Sequence, residues 1–206
     1  MKTGSYNYDY TDKVIRYLDE FLIEQFSKLK SLVSYDEINA LESVNTVYRT
    51  IDREVRKRFV KLARMSYQQI RNRDLQSLDE EWVDALLEGF DPVMDYIYSN
   101  EFDRKRSRLF EALVSSDDKA KPVQTALKQL AFQIRNFAVR VTDEAVKKAM
   151  KDQKTTIVEW VAELDAKTCD YCYILDGQRF PLAKVPEKPH PNCRCTLKVV
   201  TTLGNH

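Results

Sequence analysis

The chain has 206 residues and a mass of 24.2 kDa, room for one large domain or for one domain with a small appendage, and its 43% hydrophobic content excludes wholesale disorder. Thirty-three Lys and Arg stand against 32 Asp and Glu, a formal net charge of +1, so attraction to nucleic acid can come only from local clusters of charge. Four glycines and six prolines leave few residues for tight turns, which predicts a helix-rich fold.

From Thr11 to Val33, Ile15, Leu18, Leu22, Phe26, Leu29 and Val33 recur at steps of three and four and predict a helix with one apolar face. Ser34 with Glu37 has the capping-box pattern, and Val44, Tyr48, Ile51, Val55, Phe59 and Leu62 follow, predicting a long helix from about Tyr35 to Asn72. Ser77 with Glu80 repeats the signal before Trp82, Leu86 and Leu87, and Asp91-Pro92 predicts a further helix running towards Val114. After a polar connection at Ser115 to Lys121, Val123, Leu127, Leu130, Ile134, Phe137 and Val141 predict a helix of about 30 residues packed along a partner.

Near Lys154 the pattern changes. Thr155 to Val161 is rich in β-branched and aromatic residues, and Gly177, Pro181, Pro186, Pro189 and Pro191 follow in quick succession. The predicted strands are Thr156 to Glu163, a short piece at Tyr173 to Leu175 turning through Asp176-Gly177 to Arg179-Phe180, and Arg194 to Val200. The expected architecture is mainly α, an elongated helical body at 1–153 with a small β-rich, metal-stapled unit at 154–206. No apolar run has the length of a bilayer span and the first ten residues lack a signal-peptide pattern, so a soluble protein made in the cytosol is expected.

All four cysteines, Cys169, Cys172, Cys193 and Cys195, lie in the last 40 residues. With His190 they read C-x2-C-x17-H-x2-C-x-C, and two residues between ligands is the separation at which a tight turn aims both donors at one ion. Zinc is the natural candidate, because a β unit of about 45 residues has too little apolar area to hold itself rigid and ligation would contribute folding free energy. Five donors leave one spare. Cys169, Cys172, His190 and Cys193 form two matching knuckles and are the expected ligands, with Cys195 able to replace Cys193 or to be buried. Disulfides and free buried thiols are the competing readings.

Other chemistry is thin. His190 and His206 are the only histidines, there is no Gly-rich phosphate loop and no nucleophile elbow, and Asp165 and Asp176 read as turn residues. Arg53, Arg56, Lys57, Arg58, Lys61, Arg64, Arg71 and Arg73 cluster on one expected helix, and Arg104, Lys105, Arg106 and Arg108 on another. Either could meet phosphate, with Arg53, Arg56, Lys57, Lys61 and Arg64 as the candidate nucleic-acid residues; a solvated face paired with Asp52, Glu54 and neighbouring acids is the competing reading.

Trp160, Asp165, Thr168-Cys169, Cys172, Leu175-Asp176-Gly177 and His190-Pro191-Asn192-Cys193-Arg194-Cys195-Thr196-Leu197 together resemble the C-terminal signature of the Mu F-like phage minor head (head morphogenesis) protein family. The resemblance is close over about 40 residues. It implies a structural protein of a tailed bacteriophage or prophage, in few copies, held inside the head near the portal after assembly in the host cytoplasm, and acting in head assembly and in DNA packaging or ejection. Its implied partners are the portal protein, other head proteins and packaged double-stranded DNA, with no membrane and no small-molecule substrate. Family members often carry longer N-termini or additional C-terminal domains, whereas nine residues follow Leu197 here, so no enzymatic appendage is expected. A zinc-containing DNA-binding module acting outside the particle is the alternative, and a nuclease-like or peptidase-like enzyme at the cysteines a third reading weakened by a saturated ligand set.

Overall fold

The structure, a computed structural model, describes residues 6–35, 40–71, 78–90, 109, 112–166 and 168–202. It is mainly helical, with one small sheet in its C-terminal part. Helix α1 runs Asp9–Tyr35, α2 Ala40–Arg71, α3 Glu80–Glu88 and α4 Ala120–Asp152. Three of these helices have 27, 32 and 33 residues, as the apolar periodicity requires. Strand β1 follows at Thr155–Val161, then a six-residue helix α5 at Asp170–Leu175, β2 at Arg179–Pro181, a 3-10 turn at Leu182–Lys184 and β3 at Thr196–Thr202.

Several boundaries differ from the sequence expectation: β1 ends at Val161 rather than Glu163, and β3 begins at Thr196 rather than Arg194, so Cys193 and Cys195 precede the strand. Helix α1 continues through Ser34 to Tyr35, so Ser34 does not open the next helix, which starts at Ala40. The segment Tyr173 to Leu175 is not a strand but the end of α5. Its cause is local: Cys169 sits at the N-cap with extended backbone, its Sγ accepts the Cys172 N–H at 3.5 Å, and the Tyr173 N–H donates to the Cys169 carbonyl at 3.0 Å. A capped first turn outweighs the strand preference of tyrosine and isoleucine. The expected helix from Asp91-Pro92 and the second basic cluster, Arg104, Lys105, Arg106 and Arg108, lie outside the described residues, as do Ser77 and Arg73.

Packing divides the chain into two compact units, one of Met1–Asp12, Lys61–Asp79 and Ala138–His206, the other of Lys13–Val60 and Glu80–Phe137. The second unit buries Leu18, Leu22, Phe26 and Leu29 of α1 with Val44, Tyr48, Ile51, Val55 and Phe59 of α2. Phe59, Phe90 and Phe137 meet there with ring centroids 4.7 to 5.5 Å apart, within the range where aromatic pairs add to area burial.

The first unit holds the sheet, in the order β2-β1-β3 with both pairings antiparallel. Central β1 puts Val158 and Trp160 into the core, with Val158 opposite Phe180 and Val199, and Trp160 opposite Leu197. Gly177, at φ 73, makes the return from α5: its N–H donates to the Trp160 carbonyl at 2.8 Å, and the Trp160 N–H donates to Gln178 at 2.8 Å. That positive φ is open to glycine at no steric cost. Among the described residues, no helix is long and apolar enough to cross a membrane.

Candidate metal centre

Helix α5 and the loop before β3 place the donors. Within α5, Cys172 and Leu175 are three residues apart and share its buried face, while Cys169 caps its start. On the other side, Pro189 and Pro191 stiffen the loop, and Asn192 takes a left-handed backbone, φ 58, that asparagine tolerates better than most residues. The turn delivers His190 and Cys193 to Cys172.

The five donors expected from the sequence fall into two groups of three that share Cys172, and the expected quartet of Cys169, Cys172, His190 and Cys193 is divided between them. Cys169, Cys172 and His190 form one group whose ligand atoms lie within 4.8 Å of one another, and Cys172, Cys193 and Cys195 form a second. Cys172 belongs to both. Its Sγ is 3.6 Å from Cys193 Sγ and 3.9 Å from His190 Nε2. A disulfide needs about 2.05 Å between sulfurs, whereas two thiolates about 2.3 Å from one tetrahedral zinc stand about 3.8 Å apart. All four cysteines are free, and the sulfur spacing is that of two thiols in contact and leaves room for both to be corners of a metal tetrahedron.

His190 is oriented for ligation. Its Nδ1 lies 3.1 Å from the Pro191 carbonyl, and an Nδ1–H donated there leaves the Nε2 lone pair directed at Cys172. This is the arrangement in which a backbone acceptor fixes the tautomer of a ligating imidazole. The thiols differ in their surroundings. The Cys172 N–H, with His190 nearby, holds the Cys169 thiol below its ordinary range. Burial and the neighbouring thiols push Cys172 far up, and burial raises Cys193. Buried thiols crowded together resist ionisation, and a bound cation reverses that preference. The residues present therefore could hold a metal ion: the donors are three buried thiols, a half-buried thiol and an imidazole nitrogen.

Around the centre lies a polar layer that the spacing argument missed. Asp143 of α4, its side chain 10% exposed, accepts from Tyr6 at 2.9 Å and from Tyr8 at 2.5 Å, and pairs with Lys188 at 2.8 Å. Burial and the Asp143 charge push both tyrosine hydroxyls well above their ordinary range, so they stay protonated donors. The one signal in the sequence is the tyrosine-rich start, Tyr6, Tyr8 and Tyr10 within ten residues.

The basic residues of α2 are sorted by their partners. Arg56 pairs with Asp52 at 2.8 Å and lies over the Phe90 ring, and Arg58 pairs with Glu54 at 2.6 Å. Arg53, Lys57, Lys61 and Arg64 are exposed on α2, with Lys57 4.0 Å from Glu54.

Residues 106–198 match the family model described as Phage Mu protein F like protein. The matched stretch contains all five donors together with Asp143 and Lys188. No curated protein and no solved structure matches the chain.

Proposed function

The protein is Mu F-like over residues 106–198, and on that footing we propose that it is a structural minor head protein of a tailed bacteriophage or prophage, acting beside the portal in head assembly and in DNA packaging or ejection. The family is one of structural head proteins. What carries the reading to this chain is the convergence of the five Cys and His donors inside the matched segment. Its place is the virion, inside the head near the portal, after assembly in the host cytoplasm, and its partners are the portal protein, other head proteins and packaged DNA. It has no catalytic step.

In this reading Cys169, Cys172, His190 and Cys193 hold zinc and Cys195 is the spare donor. Zinc bound by four protein ligands supplies folding free energy and leaves no open position for substrate. The ion ties α5 to the loop before β3 and makes 154–206 a stapled β-rich unit. Elemental analysis of the purified chain should give close to one zinc, lost in Cys169→Ser and kept in Cys195→Ser; a metal-free wild type purified under reducing conditions without chelator would reject the staple. The portal part is tested separately. Purified protein should retain its cognate portal protein in a pull-down, and no retention at low or moderate salt would reject it.

A second reading rests on the exposed Arg53, Lys57, Lys61 and Arg64 of α2: a zinc-containing module that binds DNA outside the particle. Lys57→Glu with Lys61→Glu should then abolish binding to duplex DNA and flatten its salt dependence. Unchanged affinity would dismiss it.

A further inference from the structure

Three consecutive residues at the metal centre, Cys193, Arg194 and Cys195, are each tied to groups outside the cysteine cluster. The Lys188 ammonium donates to the Cys193 carbonyl at 3.1 Å, to Asp143 at 2.9 Å and to the Tyr8 hydroxyl. Three protons meet three acceptors, so the ammonium has no donor left over. Tyr8, which lies 2.5 Å from Asp143, also places its hydroxyl 3.3 Å from the Cys195 carbonyl. Arg194 forms an ion pair with Asp12 and lays its guanidinium over the Tyr8 ring, 4.9 Å from the centroid. Tyr6, Tyr8, Asp143 and Lys188 are all substantially buried, where water competes least for these bonds.

These contacts fix the backbone of the segment that carries two thiols, without touching the sulfurs. We propose that Tyr8, Asp12, Asp143 and Lys188 are positioning residues of the metal centre, and that through them metal loading and the order of the N-terminal segment Tyr6–Asp12 are thermodynamically linked. The inference rests on the metal reading above. Linkage is reciprocal: if the segment holds the Cys193–Cys195 backbone in its ligating geometry, metal bound there must hold the segment by the same factor. Outer partners of metal ligands characteristically change affinity by about 10–100-fold when removed.

The test is zinc affinity of the full chain by competition with a chromophoric chelator, paired with hydrogen exchange at the Asp12 amide, which donates to the Tyr8 carbonyl at 2.8 Å. Tyr8→Phe removes one hydroxyl and Asp12→Asn one exposed charge, and each should weaken zinc about tenfold. Lys188→Met should weaken it further, and Lys188→Arg should restore most of the loss. In the wild type, zinc should slow exchange at Asp12, and in Tyr8→Phe that slowing should shrink. A role confined to general stability would lower the melting temperature of these variants and leave zinc affinity unmoved. Wild-type affinity in both Tyr8→Phe and Asp12→Asn, with the wild type itself binding zinc, would overturn this inference and spare the metal site. A wild type that binds no zinc would overturn both.

Discussion

Lys154 turns the chain from α4 into β1 with φ 57, a left-handed backbone, while its side chain points into solvent. The Lys154 N–H still closes the helix by donating to the Lys151 carbonyl at 2.9 Å. A side chain with a Cβ is strained by about 1 kcal/mol in this conformation, and glycine is the usual residue just past a helix end. Lys154→Gly should therefore raise stability by about 1 kcal/mol, read as an increase in the urea midpoint with an unchanged slope. Trp160 poses a different question. It is 2% exposed, and its buried Nε1 has no hydrogen-bond partner among the described residues, so most of its contribution comes from ring packing. Trp160→Phe should cost much less than Trp160→Ala, for which about 3–5 kcal/mol is expected; equal losses in chemical denaturation would show that the indole nitrogen matters more than the packing. The composition reveals that tryptophan is large and apolar, but its unpaired nitrogen emerges only when β1 is covered on both sides.

At the scale of elements, helices are tied by carboxylates whose protonation releases the contacts. Asp152 at the end of α4 accepts from Lys148 at 2.7 Å and from Tyr67 at 2.7 Å. Partial burial alone would raise its pKa, but the hydrogen bonds of Lys148 and Tyr67 and the charges of Lys148 and Arg71 outweigh it and hold the carboxyl below the ordinary value. Glu54 is lowered in the same way: burial opposes, and Arg58 and Tyr17 prevail. A folded-state pKa below the unfolded one contributes stability that is complete above about pH 4 and is lost as pH falls through the folded value. Asp152→Asn should flatten the fall of melting temperature below about pH 4 while lowering it at pH 7; an unchanged acid limb would remove Asp152 from the account. The long helices themselves were legible from the sequence, because a stripe repeating every three or four residues has one way to be buried. Helix α5 was not, since its start depends on a thiol accepting the Cys172 N–H, and strand β2 was readable only as a partner for the wrong segment.

For the molecule as a whole, the metal reading makes stability depend on zinc. A ligand that binds only the folded chain adds about 2.7 kcal/mol at a hundredfold excess over its dissociation constant. Excess chelator should then lower the melting temperature by about 5–10 °C, and Cys172→Ser should remove that response, since Cys172 belongs to both donor groups. The boundary at 153 and 154 has its own test. Contacts from Tyr8 and Asp12, and from Asp143 through Lys188, reach the Cys193–Cys195 segment, so a fragment of residues 154–206 loaded with zinc should give poorly dispersed amide NMR spectra, whereas dispersed native-like signals would make it an independent domain.

The sequence by itself determined the helical class, the three long helices, the change of character at Lys154 and the five candidate ligands, because apolar periodicity and the spacing of donors across tight turns are local properties of the chain. It also carried the resemblance to the Mu F-like family, through a string of residues within one stretch. Tertiary structure alone decided that Cys172 joins both donor groups and that Tyr8, Asp12 and Asp143 reach the cysteine loop from more than 40 residues away. Those facts depend on which distant groups compete for the same hydrogen bonds and charges once water has been excluded, and no local spacing encodes that competition.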